Sequence, residues 1–516
     1  MSSRWQMLRS SVTVGGFSLL GGLTAILIET TIAAKLGLSR SSDTFYVAYT
    51  LPYVILNVIS ATGQFSFVPF FASLEARHLS DELHRGFSYA VNILVLGLSA
   101  IALLGAVTAP LVIRVIAPGL AATQIELASQ LSRWLFLIIV PAGIAEVFRS
   151  FLYSQHSFAL ASSAGFFRNF VAIACILLTF NRYGLYSIVL GYFAGYLLQL
   201  VLLGGQIAIS FSVRYSWTLA ESGKAFQNLR GAGTAQVLAA MAWQGVVIVE
   251  RIIASFLPPG TITALNWGFK ILGSLADLLA GSVGTVVLPA LSRAVAQREK
   301  LSERKTFQEA VQLSLILVTP CMVFCLLLDH NIMRLVFERG SFTAADTALM
   351  STVFLYYSLS LLLYASFRIL VFYLFARQEA WVFYRLSLLM YGLNVGFDLI
   401  YVGVFQLGAK GIPLGLLTAL MVTSWIAFRR NVCDLQRSFD RWLGGFMGKN
   451  LFAASLAAVV VWGLRSWLAP PHTGFQNFAY LCGVCGAGSL VYLGTLGVYR
   501  VIPFAHLSNA WQRPEE

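Results

Sequence analysis

Ionisable side chains stand inside stretches of this sequence that are otherwise apolar: Glu29, Glu146, Arg149, Arg168, Glu250, Arg251, Lys270, Asp277, Arg368, Arg385 and Asp398. If those stretches cross a bilayer, each charge costs at least ~2.5–3.5 kcal/mol at the centre, so it must face the bundle interior, find a partner or snorkel to the interface. The chemistry open to such residues is the binding of a charged solute in a wet cavity, or the carrying of a proton or ion. Glu146 and Arg149 are three apart on one helix and can neutralise each other. Glu250 and Arg251 are adjacent, point in different directions and need partners elsewhere. Asp277 follows Lys270 by two helical turns on the same face, which would give a cavity wall both signs. Glu29 has no basic residue within a turn, so it is protonated or paired across the bundle. Arg168, Arg368 and Arg385 lie near predicted helix ends, where snorkelling is the competing explanation.

Other chemistry is thinly represented. Cys482 and Cys485 form a CxxC without a second CxxC or a His pair, and read as buried or lipid-side thiols. There is no GxxxxGK[ST] run to hydrolyse a nucleotide. No enzyme, metal or cofactor is expected, and the energy source, ion coupling included, is unspecified.

The elements that must position these residues are long apolar segments. Of 516 residues, 58% are hydrophobic and 11% charged, a balance that no soluble domain could bury and still cover with polar groups. About fourteen segments are long enough to span a bilayer. They run 11–34, 46–71, 89–113, 134–153, 159–180, 186–209, 235–257, 262–288, 310–328, 349–375, 381–404, 411–428, 451–468 and 478–502. They are continuously apolar rather than alternating, which makes them helices and not barrel strands. Arg4 and Arg9 precede the first, but that run is too long for a signal peptide and reads as an uncleaved helix. The net charge of +13 sits mainly in one set of loops (Arg77 and Arg85; Arg214, Lys224 and Arg230; Arg293 to Lys305; Arg429 to Lys449), which the positive-inside rule assigns to the cytoplasm. Both termini are then cytoplasmic. Nucleic acid, the other partner of a basic chain, has no soluble domain to receive it.

Weak echoes recur at an offset near 220 residues. Val68-Pro69-Phe70-Phe71 resembles Leu288-Pro289-Ala290-Leu291, the stretch from Ile116 to Thr123 resembles Phe337 to Ala344, and Tyr153-Ser154-Gln155 resembles Ala376-Arg377-Gln378. They predict an all-α polytopic protein made of two six-helix halves, 1–215 and 216–440, in parallel repeat, with two additional helices and a tail in 441–516. Two such halves without an ATPase imply alternating access. A channel would need a filter or pore helix, and none is visible.

Several segments carry a family resemblance. They are Ser42-Asp43-Thr44-Phe45-Tyr46 through Pro52 with Gly63-Gln64-Phe65-Ser66-Phe67-Val68-Pro69; Ala117-Pro118-Gly119; Gly284-Thr285-Val286-Val287-Leu288-Pro289; and Phe337-Glu338-Arg339-Gly340-Ser341-Phe342-Thr343. Together with the count of fourteen, they resemble the MurJ/MviN family of lipid II flippases, within the multidrug/oligosaccharidyl-lipid/polysaccharide exporter superfamily, over nearly the whole chain. The resemblance implies a flippase of the bacterial inner membrane, working in peptidoglycan or other cell-wall biogenesis. It would carry an undecaprenyl-diphosphate-linked glycan through a cationic cavity, with the lipid tail in a groove near the last two helices. It also implies site residues. Lys270 stands at a family arginine position, without the bidentate fork. Glu29 and Asp43 match acidic positions. Gly22, Ile28 and Leu56 stand where the family has arginines, so Arg251 and Arg368 are expected to compensate, with Asp277 setting cavity charge. A polysaccharide repeat unit then fits as well as lipid II. The competing readings are a proton- or cation-coupled small-molecule exporter using Glu29, Asp277 and Asp398, and a non-transporting scaffold for cell-envelope glycan-assembly proteins.

Overall fold

The computed structural model describes residues 2–76, 80–211, 213–217, 234–431, 436–469, 473–499 and 501. The loop residues Arg77, Lys224 and Arg230, Cys433 and the tail from 502 onward lie outside them. Every regular element among the described residues is helical. Among the described residues, eleven helices are long and apolar enough to cross a membrane, or up to thirteen if each of two bent pairs forms one span. These coincide with the second to fourteenth expected segments. The helix Ser2–Leu36 occupies the first and is not in that count. The chain is a multi-pass membrane protein.

Local chemistry sets the helix starts and bends. Ser39 and Ser42 form a reciprocal capping box that opens the helix Arg40–Thr62 and fixes Asp43 in its first turn. Thr473 and Gln476 do the same for Gly474–Val498. The bent pairs are Thr261–Gly284 with Val286–Ala296, at 42°, and Ala344–Leu359 with Leu361–Ala376, at 47°. The first contains a π-helical turn, Asp277–Gly281. Another π turn, Gly63–Phe67, interrupts the second span. Such turns insert a residue into the ladder and re-aim the side chains beyond it. Each of these two lies ahead of a proline from the sequence echoes, Pro69 or Pro289.

The chain divides into two compact units. The first comprises Met1–Trp267, Arg339–Asp346 and Ala380–Ala409. Its core includes Phe67, Phe70, Phe71, Phe87 and Phe151, with Phe87 and Phe151 packed edge to face at 5.0 Å. The second comprises Gly268–Glu338, Thr347–Glu379 and Lys410–Glu516. There Leu328, Val461, Leu481 and Val484 form an apolar cluster. A buried polar clasp accompanies it: Tyr492 donates to Asn450 Oδ1 at 2.5 Å, and Asn450 Nδ2 donates to Thr319 Oγ1 at 2.8 Å. This clasp joins the last two long helices to the helix Lys300–Leu327 by hydrogen bonds that lipid cannot replace.

Candidate functional site

The first group of charged residues gathers around the start of the helix Thr261–Ala276, in the first unit. A helix start leaves amides without intrahelical acceptors. Asp43, held in its own first turn by the Ser39–Ser42 box, supplies the acceptor from another helix. Its Oδ2 accepts from the Gly260 amide at 2.6 Å, and its Oδ1 accepts from the Thr263 amide at 2.9 Å and the Thr263 hydroxyl at 2.7 Å. The carboxylate is buried, so it acts as an N-terminal cap in a low-dielectric setting, where charge-assisted bonds are strong. Gly260 adopts φ +87, and a Cβ there would lie 2.9 Å from the Leu38 side chain. Only glycine fits both constraints.

Arg251 buttresses the same turn. Its guanidinium donates to the Ile262 carbonyl at 2.8 Å and to Asn266 Oδ1 at 2.6 Å, it is buried, and it attracts Asp43 electrostatically. Glu29, also buried, accepts from the Tyr46 hydroxyl and, at 2.9 Å, from Trp267 Nε1. Trp267 Nε1 lies 2.7 Å from the Tyr46 oxygen as well, which closes a triangle across three helices. Pairing across the bundle is thus the arrangement Glu29 adopts.

Two of the sequence motifs dock at these helix ends. Gly340 adopts φ +61 with the Ala34 carbonyl 2.2 Å from where its Cβ would be, and the Ser341 amide donates to that carbonyl at 2.8 Å. Gly119 donates its amide to Ser255 Oγ at 3.1 Å, and a Cβ there would meet the Ser255 carbonyl at 2.3 Å. In both cases the backbone approaches too closely for any side chain.

A second group lies in the second unit. Asp277, first residue of the π turn, forms an ion pair with Arg368, and both side chains remain substantially exposed, at 59% and 38%. Lys270 is half-buried two turns earlier on the same bent helix. Gly284 packs against Phe372 so closely that a Cβ would sit 2.1 Å from the ring. The structure therefore brings Asp43, Arg251 and Glu29 to one helix start and joins Asp277 to Arg368. Gly22 is exposed with open space where a Cβ would stand, Ile28 is buried and Leu56 is half-buried.

Among the remaining intramembrane charges, Arg149 pairs with Glu146 at 2.5 Å and with Ser60 Oγ at 3.2 Å, as the three-residue spacing predicts. Asp398 is fully buried. Its Oδ2 accepts from Asn394 Nδ2 at 2.7 Å, its Oδ1 lacks a hydrogen-bond partner among the described residues, and it interacts electrostatically with Glu250. No group of three or more His, Cys, Asp or Glu side chains that could hold a metal ion occurs among the described residues. Sequence reasoning missed Tyr46, Trp267, Gly260 and Thr263. Their only signal was a tyrosine one turn after a capping aspartate and a lone tryptophan inside an apolar run.

The comparisons with known proteins point one way. A family model described as lipid II flippase MurJ matches residues 32–481. A protein of Rhizobium tropici named probable lipid II flippase MurJ is 27% identical, with 96% of this chain and 94% of that protein covered. A solved structure described as lipid II flippase MurJ in an inward closed conformation superposes with a TM-score of 0.77 at 20% identity, covering 95% of this chain and 98% of that one. An inward-facing multidrug resistance MATE family transporter of the MOP superfamily superposes with a TM-score of 0.68 at 13% identity, covering 83% and 99%.

Proposed function

This chain belongs to the lipid II flippase MurJ family, and from that premise we propose that it carries an undecaprenyl-diphosphate-linked glycan across the bacterial inner membrane by alternating access. It is a transporter rather than a catalyst. The substrate is lipid II or a closely related polysaccharide repeat unit, received on the cytoplasmic side from glycan-assembly proteins and released on the other. Both termini are cytoplasmic in this reading, and the moving bodies are the six-helix halves 1–215 and 216–440. A diphosphate-sugar cannot enter hydrocarbon unaided, and basic groups in a low-dielectric chamber attract it.

One observation carries the reading: the latch of Asp43 on Gly260 and Thr263, beside Glu29 on Tyr46 and Trp267. Its hydrogen bonds run between buried carboxylates and donors of other helices, beside the edge-to-face rings of Tyr46 and Trp267. Hydrogen bonds of this kind can be exchanged for water when a gate opens. In this reading Glu29, Asp43 and Arg251 hold that gate. Lys270, with the exposed Arg368–Asp277 pair, meets the diphosphate. An ion-coupled small-molecule exporter is the second reading, favoured by the buried Asp398 carboxyl with its open oxygen. Genetic rescue separates the two. Growth of a strain depleted of its own flippase supports the glycan reading. Drug efflux without rescue supports the exporter.

A further inference from the structure

The first unit holds a second polar constellation away from the latch. Arg168, on the helix Phe158–Tyr183, lays its guanidinium over the Tyr196 ring at 4.8 Å. Its Nε donates to Asn169 Oδ1 at 3.2 Å, and its Nη1 lies 3.4 Å from Gln199 Oε1. Asn169 continues to Thr24 Oγ1 at 3.3 Å, two residues past Gly22. Beside this runs a tyrosine wall. Tyr49 stacks on Tyr192 at 5.3 Å with the rings 10° apart, and Tyr53 follows Tyr49 at 5.6 Å. Tyr49 and Tyr192 are both within electrostatic reach of Arg168.

Two features set Arg168 apart from Arg149 and Arg368. Its holders Tyr196, Asn169 and Gln199 are neutral, whereas Glu146 neutralises Arg149 and Asp277 pairs with Arg368. Its anchors Asn169 and Gln199 are buried while Arg168, Tyr49 and Tyr196 are half-buried and Tyr53 is exposed. The group therefore points into the bundle and still has an accessible face, so snorkelling to the interface does not account for it. A planar guanidinium fixed on an aromatic ring keeps its full charge and its fork for an anion with two oxygens.

We propose that Arg168, with the wall formed by Tyr49, Tyr53, Tyr192 and Tyr196, is a binding subsite for the diphosphate and first sugar of the glycolipid. The tyrosine rings offer flat apolar faces to the C–H face of a sugar and hydroxyls to its rim. This inference rests on the glycolipid reading above and adds, to Lys270 and the Arg368–Asp277 pair, a contact for the headgroup within the first unit.

The test is equilibrium binding to the full-length protein in lipid nanodiscs, with two probes: lipid II, and undecaprenyl diphosphate without a sugar. Arg168→Gln is expected to weaken both probes about tenfold or more. Arg168→Lys, which keeps the charge and loses the fork, is expected to fall between that variant and the wild type. Tyr53→Leu, at an exposed position, is expected to weaken lipid II about threefold to tenfold and leave the sugar-free probe unchanged. Monodispersity and melting temperature establish folding, and if Arg168→Gln does not fold, the other two variants decide. Wild-type affinity for both probes in folded Arg168 variants overturns the subsite while leaving the flippase reading intact. So does equal weakening of both probes by Tyr53→Leu. If the wild type binds neither probe, the glycolipid reading itself fails, and the subsite with it.

Discussion

Asp43 and Thr263 are joined twice, by amide and by hydroxyl, and they stand 220 residues apart. That separation is close to the offset of the sequence echoes. The contact joins the first turn of the helix Arg40–Thr62 to that of the helix Thr261–Ala276, so that a carboxylate of the one caps the free amides of the other.

Replacing Asp43 by Ala leaves two buried amides, those of Gly260 and Thr263, without their acceptor. Each orphaned group costs about 1–3 kcal/mol, and the cost falls on the latched state alone. The expected outcome is faster modification of a cysteine placed at Ala33, which is fully buried here, by a membrane-impermeant thiol reagent in a background lacking native cysteines. Unchanged labelling would mean that the Asp43 contacts do not hold the gate.

Tyr46 and Trp267 should act as one unit, because they share Glu29 and touch each other. Tyr46→Phe and Trp267→Phe are each expected to destabilise the protein by about 1–3 kcal/mol. The double variant should depart from additivity by about 0.5–3 kcal/mol. Chemical denaturation of the four proteins in one detergent measures the cycle, and strict additivity would dissolve the triangle into independent contacts.

Gly340→Ala should impair transport more than stability. The left-handed φ costs an alanine roughly 1–2 kcal/mol, and its Cβ would collide with the Ala34 carbonyl. The loop must then lift from the first span, which opens the latch without touching any charged residue. The expected readout is a wild-type amount of protein in the membrane, with reduced rescue of a flippase-depleted strain. Full rescue would show that this loop need not dock.

The exposed pair of Asp277 and Arg368 should matter through charge balance. Arg368→Ala removes a cation and leaves Asp277 alone, and is expected to reduce transport strongly. The exchange Asp277→Arg with Arg368→Asp restores neutrality at the pair and should recover part of the activity. A mere surface ion pair contributes about 0–1 kcal/mol to stability, so a small change in melting temperature with a large change in transport identifies a functional pair.

Much of the fold was legible because hydrophobic length is a direct physical signal. Uninterrupted runs such as that from Tyr186 to Ile209 have no alternative to a helix in lipid. The local charge pair of Glu146 and Arg149 was legible for the same reason, since three residues on a helix fix a distance. Partners across the bundle were not. Nothing near Glu29 in sequence announces Trp267, because packing rather than spacing joins them. Arg251 shows the same limit: adjacency to Glu250 implied that it needed a distant partner but could not reveal the Ile262 carbonyl and Asn266. The π turn at Asp277 was hidden as well, since a single inserted residue leaves the hydropathy profile unchanged while it re-aims the side chains.

The most direct measurement is the leaflet distribution of lipid II in cells depleted of their own flippase, comparing this chain with its Lys270→Ala variant. A reagent confined to the outer side reads the exposed pool. The prediction is that lipid II reaches the outer leaflet with the wild-type chain, while with Lys270→Ala it remains inside although the protein is present in the membrane. An inner-leaflet pool unchanged by the wild-type chain would contradict lipid II transport, and equal transport by the variant would remove Lys270 from it.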